Sequence, residues 1–465
     1  MFRSITLVPL VFFAIVYGQQ PSVITPEYHP PLTIYKCTSS GGCQSQTRSV
    51  VLDASWRWAY EKTSHDICIS DGNWNTLVCI NPVICAQVCA LDGVDYSATY
   101  GITTSGSTLT LRYVTQSGRG TNVGSRVFLL ENENEYQAFN LKNQEFAFDV
   151  DTSQLPCGLK GSLYFTEMDT DGGLAKFPDN DAGAKFGTGY CDAQCPHEVK
   201  WQNGEANMLD WFPISNDERA WRGKYGACCT QIDLWEANQY SAAFTPHPCV
   251  EKVRCENVVD CGDWSNRYDG YCDKDGCDYN PYRLGDPSFL GPGKAVDTTQ
   301  KITVITQFIT DDNTPNGNLV EIRRIFRQNG IIIQNARVNV PGIPPYDSIT
   351  DDFCSTQKTA FNDQNYFASL GGLGQVGHGM DNGLVLAMSL LDDPDRQLLW
   401  LDSTYPPDRD AAEPGVTRGT CATASGKPVD LEAESPNASV MFSNIRYGDI
   451  GSTYPMPGSG STCAC

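Results

Sequence analysis

Twenty cysteines are spread along this chain of 465 residues, from Cys37 to Cys465. That number, and its being even, point to a disulfide framework formed in an oxidising compartment. The N-terminus agrees. Residues 1–18, MFRSITLVPLVFFAIVYG, place Arg3 ahead of an apolar run that ends at Gly18. This is the layout of a secretory signal peptide, too short for a good membrane span. No other run is apolar enough to cross a bilayer. Cys191-x-x-x-Cys195 and the adjacent Cys228-Cys229 superficially suggest zinc ligands, but secretion and the even count favour disulfides. A secreted, extracellular, cross-linked protein is expected, without metal or cofactor. Spacing alone does not give the pairing.

The rest reads as strands joined by long loops rich in Gly, Pro, Asn and Asp. Leu109, Leu111 and Tyr113 alternate with polar residues, as do Phe146, Phe148 and Val150. Ile302, Val304 and Phe308 form another such run, and Leu384, Leu386, Met388 and Leu390 a fourth. Segment 319–333 contains Asn329-Gly330, a two-residue hairpin signal. Helical periodicity is scarce, with 79–90 and 355–362 the best short candidates. Many strands and few helices predict an all-β antiparallel sandwich. There is no internal repeat and no Ser/Thr/Pro-rich linker. Residues 19–453 are expected to form one domain, with 454–465 a short tail too small for a further folded module. Cys463 and Cys465 in that tail would pair with each other or with another chain. Asn437-Ala438-Ser439 is a candidate glycosylation sequon.

The net charge of −22 argues against nucleic acid or an anionic membrane as partner. A neutral polymer is compatible with it. Nine Trp residues are enough to supply stacking platforms for sugar rings as well as core.

Chemistry concentrates in residues 228–249, CCTQIDLWEANQYSAAFTPHPC. On a strand, residues two apart share a face, so Gln231 and Asp233 stand side by side. Glu236 is out of phase and joins them only if a bulge re-aims it. Ile232, Leu234 and Trp235 suit a core or wall. Acidic side chains brought together in this way can cleave a glycosidic bond; the plain alternative is surface charge on an ordinary strand.

Separate segments across residues 28–453 decide between these. They include VVLDASWRW (50–58), YGITTSGS (100–107), QLPCGLKGSLYFTEMDTDGG (154–173), FGTGYCDAQCP (186–196), GCDYNPYRLG (276–285), LLWLDSTYP (398–406) and SPNASVMFSNIRYG (435–448). With these motifs the chain resembles the glycoside hydrolase family seven cellulases, closest to the cellobiohydrolase branch. The resemblance implies a β-jelly-roll of two curved antiparallel sheets, a substrate tunnel on the concave face, and a monomer acting on cellulose or other β-1,4-glucan chains. Tunnel-roofing loops are implied at about 215–227 and 262–272. It also implies that the eighteen cysteines from Cys37 to Cys421 form nine pairs, Cys191 with Cys229 and Cys195 with Cys228 among them. A tenth pair usual in the family is missing as a whole: Ala90 stands at one partner, and no cysteine precedes His29.

The family pattern is Glu-x-Asp-x-x-Glu. Glu236 matches the acid/base and Asp233 the acid that orients the nucleophile and shares its proton. Gln231 stands where the nucleophilic glutamate belongs. His247 matches a histidine that hydrogen-bonds around the site. Trp56 and Trp58, two apart and read as one face of a strand, match stacking platforms toward the tunnel entrance. Trp400 matches the platform on the leaving-group side. Leu391, in Ser389-Leu390-Leu391-Asp392-Asp393, replaces the tryptophan expected just behind the cleavage point. Tyr164, Asp192, Gln194 and Lys200 match tunnel-lining positions. Arg267, Arg283 and Arg418 match basic residues that grip sugar hydroxyls near the product end.

A neutral amide neither attacks an anomeric carbon well nor stabilises its developing charge. The sequence leaves three outcomes open: a glucan-binding pseudoenzyme; a reaction in which Asp233 or a positioned water replaces the nucleophile; or a working hydrolase, should the amide be deamidated or the encoded Gln be an error.

Overall fold

The computed structural model describes residues 19–22, 24–177, 180–214 and 220–454. The expected signal peptide, the Cys463 and Cys465 tail, and part of the 215–227 loop lie outside the described residues. No helix among the described residues is long and apolar enough to cross a membrane.

Twelve strands build the frame. They are β1 (Pro31–Thr38), β2 (Gly42–Leu52), β3 (Ser125–Asn132), β4 (Gln144–Asp151), β5 (Lys160–Thr166) and β6 (Gln231–Ala237). Then come β7 (Ala242–His247), β8 (Ile302–Thr310), β9 (Leu319–Gln328), β10 (Ile331–Gln334), β11 (Leu384–Leu391) and β12 (Ser439–Asp449). One arm runs β12-β4-β8-β9-β10. The other runs β1-β2-β3-β11-β5-β6-β7. All these neighbours are antiparallel; a parallel contact between β1 and β12 joins the arms.

The arms face each other over one core. Phe146, Phe148, Val150, Ile302, Val304 and Phe308 enter it from the first arm. Leu163, Phe165, Ile232, Leu384, Leu386 and Met388 enter from the second. The period of two seen in the sequence is therefore the alternation between core and outer face. The β9–β10 hairpin turns at Asn329 and Gly330, both at positive φ, as its two-residue loop requires.

Helix α1 (Pro82–Val88) falls inside the expected 79–90. Helix α2 spans Asp351–Phe361, beginning four residues ahead of the expected 355–362 and ending one before it. Thr350 caps it by accepting from the Phe353 N–H, and Asp351 and Asp352 occupy its first turn. Helix α3 (Gly372–Gly379) was not expected, because GLGQVGHG is a poor helix sequence. Packing of Leu373 and Val376 into the core overrides that propensity.

Nine disulfides form among the described cysteines, including Cys191–Cys229 and Cys195–Cys228. These two rivet the 191–195 loop to the residues just ahead of β6. A mostly β, disulfide-rich jelly-roll is thus what the chain forms.

Candidate active site

The outer face of the second arm carries the site. On β5 the core takes Leu163 and Phe165, so Lys160, Ser162, Tyr164 and Thr166 turn outward. Across the ladder Thr166 faces Gln231, Tyr164 faces Asp233 and Ser162 faces Glu236. The register shifts between Leu163 and Tyr164 against β5, and between Asp233 and Glu236 against β7. At this bulge Leu234 and Trp235 both enter the core. Glu236 is thereby re-aimed to the face of Gln231 and Asp233, as the spacing requires. All three are buried.

Gln231 is held at both ends of its amide. Its Oε1 accepts from the Ala193 N–H at 3.1 Å, and its Nε2 donates to Asp233 Oδ1 at 2.6 Å. The Ala193 amide can only donate, which fixes which end of the side chain is oxygen. The loop presenting Ala193 is the one riveted by Cys191–Cys229 and Cys195–Cys228. Asp233 Oδ2 is 3.0 Å from His247 Nε2, and His247 Nδ1 is 2.8 Å from the Asp273 carbonyl. Burial alone would lower the His247 pKa, but the hydrogen bond and charge of Asp233 outweigh it and lift it to about 9.

Glu236 has a partner that the sequence reading missed. Lys160 Nζ forms an ion pair with Glu236 Oε1. Burial raises the Glu236 pKa, the Lys160 ammonium opposes the rise, and Asp233 adds to it. Lys160 also lies 4.9 Å from the Trp400 ring centroid. Trp400 sits in a short helical turn, Leu399–Asp402, and donates its Nε1–H to Asp393 Oδ2 at 2.9 Å. Leu391 ends β11 directly opposite Lys160. Alternation from Tyr164 back to Lys160 on β5 was the available signal for Lys160.

The remaining residues extend this face. Tyr164 Oη is 3.0 Å from Tyr190 Oη, and Tyr190 donates to Asp192. Burial raises the Asp192 pKa against the pull of Tyr190 and Arg126. The Arg126 guanidinium stacks 3.3 Å from the Tyr190 centroid and 5.3 Å from that of Trp56. Tyr190 and Arg126 were not foreseen either. Lys200 donates to the Ser55 carbonyl at 2.7 Å, beside Trp56, and burial lowers its pKa to about 8. Trp56, Arg126, Tyr190, Asp192 and Tyr164 thus form a connected path to the acids.

Trp56 and Trp58 do not share a strand, contrary to the sequence expectation. Ala54–Trp56 is a 3-10 turn, because the Asp53 side chain accepts from the Ser55 N–H at 2.7 Å and closes it. Arg57 between them plunges inward to an ion pair with Glu27 at 2.7 Å. Both tryptophans remain half-buried, Trp58 under the Arg119 guanidinium at 5.2 Å.

Gln194 donates to the Lys274 carbonyl at 2.7 Å. Arg222 and Lys274 both bind Asp263, at 2.6 and 3.2 Å, which ties the two expected roof loops together. At the far end Arg267 donates to Asp275 at 2.7 Å. Arg283 is buried, and its three nitrogens donate to Gly415, Asp278 and Asp363. Arg418 reaches Asp278 only at 4.0 Å, and burial lowers its pKa to about 10. Arg418 is therefore less committed to protein partners than Arg283.

A family model described as glycosyl hydrolase family 7 matches residues 22–454. Solved structures agree. A GH7 cellobiohydrolase from Daphnia pulex is 48% identical with a TM-score of 0.92, covering 94% of this chain and 100% of that one. A cellobiohydrolase from Melanocarpus albomyces, complexed with cellotetraose, is 44% identical with a TM-score of 0.89, again covering 94% and 100%. An endocellulase from Humicola insolens is more distant, at 33% identity and a TM-score of 0.78, with the same coverage. With this fold, this strand of acids and these likenesses, the chain belongs to glycosyl hydrolase family 7 and has the cellobiohydrolase-type cellulase fold.

Proposed function

We propose that this is a secreted, monomeric protein that takes β-1,4-glucan chains along the face from Trp56 to Trp400, and that Gln231 makes it chiefly a binder. Glu236 is the acid/base by position, Asp233 its neighbour, and His247 the residue that orients Asp233. The observation that carries the reading is the double hydrogen bond of Gln231. A glutamate at 231 would set a second carboxyl against Asp233, and the two would share one proton. The amide supplies that hydrogen permanently through Nε2, so the site keeps its shape without a nucleophile.

Asp233 is badly placed to take over, since Gln231 and His247 occupy both of its oxygens. Those bonds stabilise the carboxylate and blunt its attack. The alternative is an active retaining cellobiohydrolase, which the bound amide disfavours. Calorimetry with cello-oligosaccharides of increasing length tests binding. Affinity should rise with length and fall for Trp56→Ala; absence of binding to any β-glucan contradicts the reading.

A further inference from the structure

Lys160 and Leu391 are directly opposed across β5 and β11, on the same outward face. A leucine has less reach than the tryptophan that the family resemblance places at 391. The Lys160 side chain lies against the face of Trp400, half-buried, with its ammonium on Glu236. A flat aromatic face in a carbohydrate cleft is where a pyranose ring would stack. Here a cation already covers it.

We propose that Lys160 is a specificity-determining and positioning residue: its side chain holds the place of the leaving-group-side sugar on Trp400, and a sugar that takes this face displaces the ammonium from Glu236. This rests on the glucan-binding reading above. Among the described residues, the charged groups around Glu236 are few. They are Lys160 on β5, Asp233 on β6 itself, His247 on β7, and Asp393 behind the Trp400 indole. Tyr164 on β5 adds a phenol. Lys160 is thus the closest cation to Glu236 among the described residues; His247 is already bound to Asp233. Once Lys160 swings out to solvent on its four-carbon stem, Glu236 is a buried carboxylate near Asp233 with its main counter-ion gone. It then takes up a proton from the medium. By linkage, sugar binding on this side and protonation of Glu236 favour each other.

The test is calorimetric titration of the full protein with cellobiose at pH 6–7 in two buffers of different ionisation enthalpy. The expected result is proton uptake on binding by the natural protein. Lys160→Met should bind roughly fivefold tighter, since no cation–π contact or ion pair has to be given up, and should lose the uptake. Lys160→Arg should retain it. Should Lys160→Met fold poorly, the buffer dependence of the natural protein and a carboxyl-carbon NMR titration of Glu236 with and without cellobiose decide. Trp400→Ala separates the two readings. If binding depends on Trp400 but is proton-silent and indifferent to Lys160, this inference is overturned and the glucan reading stands. If cellobiose does not bind while longer cello-oligosaccharides do, this inference is overturned; if no β-glucan binds, both fall.

Discussion

The two ends of β6 handle burial in opposite ways. At Gln231 a neutral amide has both of its polar ends satisfied, by Ala193 and Asp233. At Glu236 a charged carboxyl is matched by a charged lysine. The first arrangement needs no proton and has no reactive charge. The second is a pair whose members are each costly to strand: removing one partner of a buried ion pair typically costs about 3–5 kcal/mol. One strand therefore holds a chemically quiet end and a poised end.

The largest effect should come from reversing the quiet end. Gln231→Glu should raise cellobiose release from a soluble cello-oligosaccharide by at least about 10³-fold, because it restores the covalent route. A change below tenfold in a folded variant would break the comparison. At the poised end, adding Glu236→Gln to that variant should remove roughly 10²–10⁴ of the regained rate, the range of general-acid catalysis. An unchanged rate would show that Glu236 is not the acid.

The Asp233–His247 pair between the two ends predicts a pH signature in stability. The folded His247 pKa, about 9, lies above its unfolded value. The native state thus holds the extra proton between about pH 6.5 and pH 9. The stabilisation is complete below pH 6.5 and is lost as pH rises through 9, on the order of 3 kcal/mol in all. Denaturant melts at pH 6 and pH 9.5 should show this fall, and His247→Asn should flatten it. A flat natural profile would separate His247 from Asp233 in solution.

The sandwich and the bulge at β6 were legible because period two and a glutamate out of phase are local patterns. Three of the features that were not legible failed for different physical reasons. The Trp56–Trp58 spacing imitates a strand, but the Asp53 side chain closes a 3-10 turn there. Helix α3 has a glycine-rich sequence and exists through its packing. Lys160 opens β5, where alternation puts it on the site face but names no partner for it. Its meaning depends on Trp400, distant in sequence, and on the missing ring at Leu391 opposite it.

The smallest expected effects concern the platforms. Trp400→Ala and Trp56→Ala should each weaken oligosaccharide binding by about 1–2 kcal/mol, the scale of aromatic stacking. Because Lys160 covers Trp400, the Trp400 effect should be the smaller of the two and should grow in a Lys160→Met background. Equal effects in both backgrounds would show that Lys160 does not compete for the ring.

On the reading proposed above, Gln231 removes covalent chemistry while leaving the site intact. Intact-mass measurement after incubation with a fluorinated cellobioside tests it most directly. Gln231→Glu should gain the mass of one glycosyl group, at residue 231, and the natural protein none. A label on the natural protein, mapped to Asp233, would contradict it.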